Sequence, residues 1–210
     1  ADTTMVTIEG LQPNSKYYVY VQSECGAWAN AVEVETKKVW TVGYTDNFNS
    51  YGSTTPDEWV VGYVMQSTGA YGTSASYMPK LDTKASNGNT SLPTSAVGSV
   101  YFNHTTSNNP FCVFPEIDVE RIQDIQFTFY AKMGTLTDGM VISVCTSQDI
   151  ETATPIDTIY PNEKAKYERH IITFDKYQGN GKYIAISAKL DVKASASNAC
   201  YFDDFSIDSL

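Results

Sequence analysis

Apolar and polar residues alternate along most of this chain of 210 residues, and no stretch keeps the spacing of an amphipathic helix. Alternation with a period of two is the pattern of β-strands that bury one face. Turn-forming residues separate the alternating runs. The clearest are Asp138-Gly139 and Gly179-Asn180-Gly181, which tolerate positive φ and predict β-hairpins. The sequence therefore predicts an all-β fold.

The chain is acidic, with 14 Lys and Arg against 24 Asp and Glu and a net charge of −10 at pH 7. Such a surface is repelled by phosphate backbones and by anionic lipid headgroups. No apolar run approaches the roughly 20 residues that a membrane-spanning helix needs. We therefore expect neither a nucleic-acid partner nor membrane insertion, and we expect any targeting signal to lie outside these residues.

The four cysteines, Cys25, Cys112, Cys145 and Cys200, are far apart in the sequence. Zinc sites usually draw their ligands from short, closely spaced pairs, so this spacing does not indicate a metal site. Cys112 and Cys145 stand inside strand-like runs, where a free cysteine commonly acts as a small buried apolar residue. The alternative is a single disulfide between strands, whose partners the sequence does not select.

Residues 1–38 differ from the rest of the chain. Leu11, Pro13 and Tyr17 are followed by alternating valines, and this stretch resembles the later strands of a fibronectin type III domain. The resemblance implies that Tyr17 is the corner tyrosine whose hydroxyl bonds back to the upstream backbone. Since the first half of such a domain is missing, we expect the natural chain to begin further upstream. Bare strand edges also predict that residues 1–38 pack on the next domain or pair with another chain.

Residues 39–210 contain strand-like runs in the order TDNFN, PEID followed by FTFYA, and FDDFSI at the end. These runs resemble jelly-roll domains of cell-surface and secreted proteins from Bacteroidetes, which are related in layout to MAM-like, cleaved-adhesin and carbohydrate-binding modules. The resemblance implies a jelly-roll β-sandwich over residues 39–210, preceded by a partial fibronectin type III-like β-sandwich. Because the two domain types commonly alternate in large surface proteins, the two resemblances agree.

Two aspartates near opposite ends of that domain are predicted to point inward. By the two-residue period of strands, Asp46 shares a face with Phe48, and Asp203 shares one with Phe205. A buried carboxylate needs a partner or a metal ion. Related jelly rolls often hold calcium between their first and last strands, so the resemblance implies a structural Ca²⁺ at Asp46, Asp203 and Asn49, the last in a position that is often Glu. Alternatively, both aspartates accept hydrogen bonds from backbone amides without a metal.

Aromatic side chains suggest a second candidate site, a sugar-binding platform. Tyr71 and Tyr77 flank a short Ser-rich segment in a loop-rich stretch, where exposure is expected. Trp59 follows a proline where a strand is predicted to begin, and its ring either anchors the core or stacks on a sugar. Aromatic residues are also ordinary strand formers, so the pattern alone does not choose between these roles.

Catalytic chemistry finds little support in the sequence. His104 lies in a polar loop and His170 alternates in phase with Ile172, so neither is placed as a general base. No nucleophile elbow, metalloprotease helix, phosphate-binding glycine loop or C-x-x-C pair is present. Nothing selects a pair of carboxylates for glycoside hydrolysis. We therefore predict that the chain is not an enzyme.

The sequence as a whole predicts a non-catalytic adhesion or interaction module of a secreted or surface-exposed bacterial protein, with a host or matrix protein or a glycan as its partner. The alternative is a carbohydrate-binding module appended to a glycan-degrading system. Such a module would show exposed, coplanar aromatics beside amide or carboxylate groups. A third interpretation is an architectural spacer, which would show neither a platform nor a pocket.

Overall fold

β-Strands account for nearly all of the regular structure in the computed structural model, which describes residues 5–74, 78–82, 98–103, 108–189 and 199–210. The strands are β1 Lys16–Val19, β2 Val32–Glu35, β3 Val39–Trp40, β4 Thr45–Asp46, β5 Val60–Met65, β6 Tyr71–Gly72, β7 Lys80–Asp82, β8 Ser99–Asn103, β9 Asn108–Ile117, β10 Ile125–Met133, β11 Gly139–Cys145, β12 Thr154–Ile159, β13 Glu168–Thr173, β14 Tyr183–Lys189 and β15 Ala199–Ser209. Short 3-10 helices lie at Ile122–Asp124 and Ile150–Thr152. The prediction of an all-β fold is confirmed.

The chain divides into two compact units, Ala1–Val39 and Trp40–Leu210. In the N-terminal unit, β1 and β2 pair antiparallel to form a two-stranded sheet. The hydroxyl of Tyr17 accepts a hydrogen bond from the backbone N–H of Gln12 at 2.9 Å. This contact ties the strand to the segment before it, as expected for a corner tyrosine, while the fibronectin type III resemblance itself stays a prediction.

The C-terminal unit is a sandwich of two sheets. The six-strand sheet has the strand order β13-β10-β15-β8-β7, with β4 beside β15. The seven-strand sheet has the order β12-β11-β14-β9-β5-β6, with β3 beside β9. β10 and β11 follow each other in sequence but lie in different sheets, and so do β13 and β14, as the sheet-to-sheet connections of a jelly roll require. The predicted jelly-roll β-sandwich is confirmed.

The turns at 138–139 and 179–181 connect the two sheets instead of closing hairpins, so the hairpin prediction is wrong. The first separates β10 from β11 and the second precedes β14, and the flanking strands belong to opposite sheets. A sharp turn reverses the chain in either case, and only the tertiary fold decides which strands pair. Gly139 is needed for close approach, since a Cβ there would lie 2.8 Å from the carbonyl oxygen of Ile159.

The alternation of β10 shows how the sequence builds the sandwich. Phe127 and Phe129 are fully buried in the core, with their ring centres 5.2 Å apart. By the two-residue period, Thr128 and Tyr130 lie on the opposite, outer face of the six-strand sheet. Each fully buried aromatic side chain stabilises the fold by about 1.5–3 kcal/mol. The same burial that fixes β10 therefore also fixes which side chains face outward.

Trp59 is a core residue. Its ring stands edge-on to Phe114, with centres 5.0 Å apart, and edge-on to Phe48 at 5.6 Å. The residue is only 5% exposed, so a ligand has no access to the ring face. The structure thus selects the core-anchor interpretation of Trp59, and the interpretation as a sugar platform is wrong.

All four cysteines lie in the described ranges, and all four are free thiols. Cys112, Cys145 and Cys200 are buried in strands, whereas Cys25 is exposed in the N-terminal unit. Burial raises the pKa of Cys145 to about 11 and raises that of Cys200 still further. A thiol that keeps its proton is a poor nucleophile. The interpretation of the strand cysteines as small buried apolar residues is confirmed.

Candidate functional site

A polar cleft of about 620 Å³ opens beside the six-strand sheet, and we call it the Asp46 cleft. β4 and the loop after it form one side, and β10, β13 and β15 form the other. The residues that line it are Tyr44, Thr45, Asp46, Asn47, Ser50, Tyr51, Thr128, Tyr130, Arg169, Asp204, Phe205 and Ser206. Hydroxyl, carboxylate, guanidinium and aromatic groups meet here, and this mixture is suited to orienting a polar ligand.

Asp46 organises the first side of the cleft. Its Oδ2 accepts hydrogen bonds from the Tyr44 hydroxyl at 3.2 Å and the Tyr51 hydroxyl at 2.8 Å, and its Oδ1 accepts one from the N–H of Phe48 at 2.8 Å. Burial and the Asp46 charge raise the pKa of Tyr44 to about 12. Burial and the hydrogen bond to Asp46 also raise the pKa of Tyr51. Both phenols therefore keep their protons at neutral pH and hold the carboxylate in place.

The loop after Asp46 is fixed in a strained conformation. Phe48 has a φ of 53°, in the left-handed region that a bulky residue rarely enters. The side-chain oxygen of Asn49 accepts a hydrogen bond from the N–H of Gly98 at 2.7 Å, and a Cβ on Gly98 would overlap the backbone of Phe48. Such strain persists only where the surroundings impose it, and it concentrates at functional sites.

Thr128, Tyr130 and Arg169 form the second side of the cleft. Tyr130 lies directly opposite Arg169 in the ladder between β10 and β13, and Thr128 is on the same face two residues away. Thr128 is 6% exposed, and its Oγ1 has no hydrogen-bond partner among the described residues. The side chains of Tyr130 and Arg169 have no hydrogen-bond or ion-pair partner in that part of the chain either. An unpaired buried hydroxyl costs about 1–3 kcal/mol, which a ligand or an ordered water can offset.

The prediction that Asp203 shares a face with Phe205 is wrong, because the register of β15 against β10 shifts between these residues. The extra residue is Asp204, which has a φ of 47°. Phe202 and Phe205 consequently both enter the core, with ring centres 5.8 Å apart, although they are three positions apart. Asp203 is fully buried, as predicted, but it does not line the cleft. A β-bulge of this kind redirects every side chain beyond it.

Lys132 supplies a positive charge near Asp203. Its Nζ lies 4.7 Å from the ring centre of Tyr167 and 4.4 Å from that of Tyr201. Burial lowers the pKa of Lys132, and the charges of Asp82 and Asp203 act in the opposite direction. Because the ammonium group of Lys132 is close to the carboxylate of Asp203, the burial of Asp203 does not require a metal ion.

The predicted calcium ligands have other partners in the structure. Asp46 accepts the hydrogen bonds of the cleft, Asn49 bonds to Gly98, and Asp203 accepts a hydrogen bond from the N–H of Asp204 at 2.8 Å. Across the residues that the structure describes, no group of three or more His, Cys, Asp or Glu side chains is arranged to hold a metal ion. The structural Ca²⁺ stays a prediction, and the contacts of Asp46 favour the interpretation without a metal.

The predicted platform tyrosines are not part of the Asp46 cleft as described. Tyr71 lies on β6, at an edge of the seven-strand sheet; it is 46% exposed and its ring stands edge-on to Phe111 at 6.2 Å. Its role in ligand binding stays a prediction, and Tyr77 lies outside the described residues. Tyr130 and Arg169 were not predicted from the sequence as site residues. The alternation of β10 was the available signal for Tyr130, since it predicts a polar outer face next to the buried phenylalanines.

His170 does not line the cleft. It is half-buried, and its ring lies 5.5 Å from that of Phe129. Burial lowers its pKa, with the charges of Glu168 and Asp157 acting in the opposite direction. His104 lies outside the described residues. His170 is thus a packing residue on β13, beside Phe129, rather than a base in the cleft.

Among the solved structures that are similar to this chain, two cover 80% of its length with a TM-score above 0.5. One is the K1 cleaved adhesin domain of Lys-gingipain (Kgp) from Porphyromonas gingivalis W83, of which 99% is covered with a TM-score of 0.58 and 10% sequence identity. The other is the K2 cleaved adhesin domain of Kgp, of which 98% is covered with a TM-score of 0.55 and 12% identity. The likeness is one of fold. It confirms the cleaved-adhesin resemblance at the level of architecture.

No protein-family model and no curated protein matches the sequence. Among the described residues, no helix has the length and apolar character needed to cross a membrane. A shared fold alone does not assign a function. The function must therefore be inferred from the residues of the Asp46 cleft.

Proposed function

We propose that this chain is a non-catalytic binding module of an extracellular or surface-exposed bacterial protein, and that the Asp46 cleft binds a glycan. The observation that carries the proposal is the contrast between the two sides of the cleft. One side is fixed by hydrogen bonds to Asp46, and the other presents Thr128, Tyr130 and Arg169 without partners among the described residues. A preorganised frame that faces unused polar groups suits a ligand with many hydroxyls. The cleaved-adhesin fold supports the extracellular location.

Tyr130 provides the aromatic surface that glycan binding commonly uses. It is half-buried on the outer face of β10, and its ring makes no contact with another ring in the described part of the chain. A pyranose ring can stack on such a face while its hydroxyls reach Arg169 and Thr128. On this proposal the sugar platform is Tyr130, and not Tyr71, Tyr77 or Trp59, the three aromatic residues named from the sequence.

The cleft is better suited to binding than to glycoside hydrolysis. A hydrolase needs one carboxyl group that gives a proton and a second that acts as base or nucleophile. All three contacts of Asp46 donate hydrogen to it, so it is placed as an acceptor and not as a proton donor. Asp204 is the other carboxylate in the cleft. The described lining of the cleft includes no histidine that could act as a general acid.

A glycan array probed with the intact chain tests this proposal. Tyr130→Ala is expected to weaken any reproducible hit by about tenfold or more, because truncating an aromatic anchor removes both stacking and buried area. Arg169→Gln should weaken the same hit. Tyr71→Ala is the matched control on the opposite sheet and should leave binding unchanged. Loss of binding in Tyr71→Ala but not in Tyr130→Ala would place the site at the edge of the seven-strand sheet and contradict the proposal.

A second candidate function is protein adhesion, which the surface of the N-terminal unit favours. Tyr18, Tyr20, Trp28 and Val32 are each more than half exposed, and Tyr20 and Trp28 line an apolar cavity of about 460 Å³. Exposed apolar patches often mark protein-binding surfaces. On this proposal a host or matrix protein, or residues 1–38 of a second chain, covers the patch.

Sedimentation velocity and binding to immobilised matrix proteins test this second candidate. If the patch is an adhesive surface, Trp28→Ser abolishes dimer formation or matrix binding. The substitution should leave the glycan hits unchanged, because Trp28 belongs to a separate compact unit. A monomeric chain that binds no matrix protein would remove this candidate.

A further inference from the structure

The first side of the Asp46 cleft is an acceptor wall. Tyr44 and Tyr51 both donate their hydroxyl hydrogens to Asp46. A phenol has a single hydrogen to donate, so toward a ligand these two oxygens can only accept. Asp46 adds a carboxylate to this side, and Asp204 on β15 brings a second carboxylate to the cleft; both can only accept. Burial holds the pKa of Tyr44 at about 12, so this arrangement of protons persists at neutral pH.

Thr128, Tyr130 and Arg169, on β10 and β13 of the second side, form a donor wall. The guanidinium of Arg169 has five N–H donors and no acceptor, and the hydroxyls of Thr128 and Tyr130 can each donate one hydrogen bond. None of the three side chains has a hydrogen-bond or ion-pair partner among the described residues. They lie on neighbouring strands, with Tyr130 directly opposite Arg169. Their donors are therefore close together and unused.

We propose that the Asp46 cleft selects an uncharged saccharide over the uronic-acid form of the same sugar, an inference that rests on the proposed glycan binding. Each sugar hydroxyl both donates and accepts, so a pair of hydroxyls bridges the two walls. A carboxylate only accepts. It finds partners on the donor wall alone and is repelled by Asp46 and Asp204, on a chain whose net charge is −10.

Calorimetric titration of the intact chain with matched oligosaccharides tests this selectivity. The probes are neutral galactose, glucose and mannose oligomers and their uronic-acid counterparts of equal length. The neutral member of at least one pair is expected to bind about tenfold more tightly at low salt. The difference should narrow as salt is added, because screening weakens like-charge repulsion. Equal or tighter binding of the uronic acids would overturn the inference.

Asp204→Asn identifies the cause of the selectivity. Asparagine tolerates the positive φ of this position and keeps a side-chain oxygen, but it removes the negative charge. The variant should bind the uronic acid more tightly than the wild type does. Its affinity for the neutral sugar should change little. Asp118→Asn is the matched control, because Asp118 is exposed and lies outside the cleft lining. An unchanged ratio of affinities in Asp204→Asn would contradict the electrostatic part of the inference.

The outcomes separate the inference from the function on which it rests. Binding of acidic sugars in preference to neutral ones would leave a glycan-binding cleft and overturn its selectivity. If no saccharide of either kind binds to the intact chain, both the proposed function and the inference fail. Unchanged unfolding midpoints of both variants would show that the compared proteins are equally folded.

Discussion

Tyr44 and Tyr51 make the stability of the C-terminal unit sensitive to high pH. Burial raises the pKa of Tyr44 to about 12 and also raises that of Tyr51, whereas an unfolded tyrosine ionises near pH 10. Between about pH 10 and 12 the folded state keeps protons that the unfolded state has lost. The free energy of unfolding therefore falls as the pH rises through this window, and its tyrosine contribution is fully present below it.

Urea denaturation at closely spaced pH values measures this fall. Tyr51→Phe should make the slope shallower, because it removes one of the protons that distinguish the two states. Tyr71→Phe changes an exposed ring on the other sheet and should leave the slope as it is. If the free energy of unfolding falls equally steeply with pH in the wild type and in Tyr51→Phe, the Tyr51 hydroxyl does not keep its proton longer in the folded state than in the unfolded state.

The four cysteines are predicted to differ in their reactivity toward a thiol reagent. Cys25 is exposed, whereas Cys112, Cys145 and Cys200 are buried free thiols. A thiol reagent added to the native protein should modify one cysteine quickly and the other three only after denaturant is added. Fast modification of more than one thiol, or fewer than four thiols in denaturant without a reductant, would contradict the described packing.

Among the elements of the fold, the loop that leads into β13 contains a residue with a strained backbone conformation. Ala165 has a φ of 58°, which costs an L-residue about 1–2 kcal/mol. Glycine removes this strain at an entropic cost of about 0.5–1 kcal/mol. Ala165→Gly is therefore expected to raise the free energy of unfolding by about 0.5 kcal/mol. Ala153→Gly is the control, because Ala153 has an ordinary φ of −69°. This variant relieves no strain, so its free energy of unfolding should fall by about 0.5–1 kcal/mol.

β15 and β10 show which elements could be predicted from sequence. The alternation in β10 predicts its buried phenylalanines and, with them, the outward position of Tyr130. The period-two pattern of β15 fails at Asp204, because a bulge depends on the partner strand and not on local sequence. Arg169 could not be assigned to the cleft without the register of β13 on β10. Asp46 was identified as a site residue, but its tyrosine partners depend on the turn at Phe48.

At the scale of the whole molecule, calcium should have little effect on folding. A structural site loaded to 100 times its dissociation constant would stabilise the fold by about 2.7 kcal/mol, enough to raise the unfolding temperature by several degrees. Asp46 already accepts three hydrogen bonds, and Lys132 lies near the buried Asp203. Calorimetric scans in calcium and in chelator should therefore coincide. A higher midpoint in calcium that Asp46→Asn abolishes would establish the calcium site predicted from the sequence.

If the Asp46 cleft is where this module holds its ligand, backbone amide NMR during a saccharide titration detects the ligand there. The probe is the neutral oligosaccharide that binds best on the array. The shifted amides are expected to cluster in residues 44–51, 126–132 and 167–171, and Tyr130→Ala should remove these shifts. Shifts that cluster around β6 and leave the Asp46 cleft unchanged would contradict binding in this cleft.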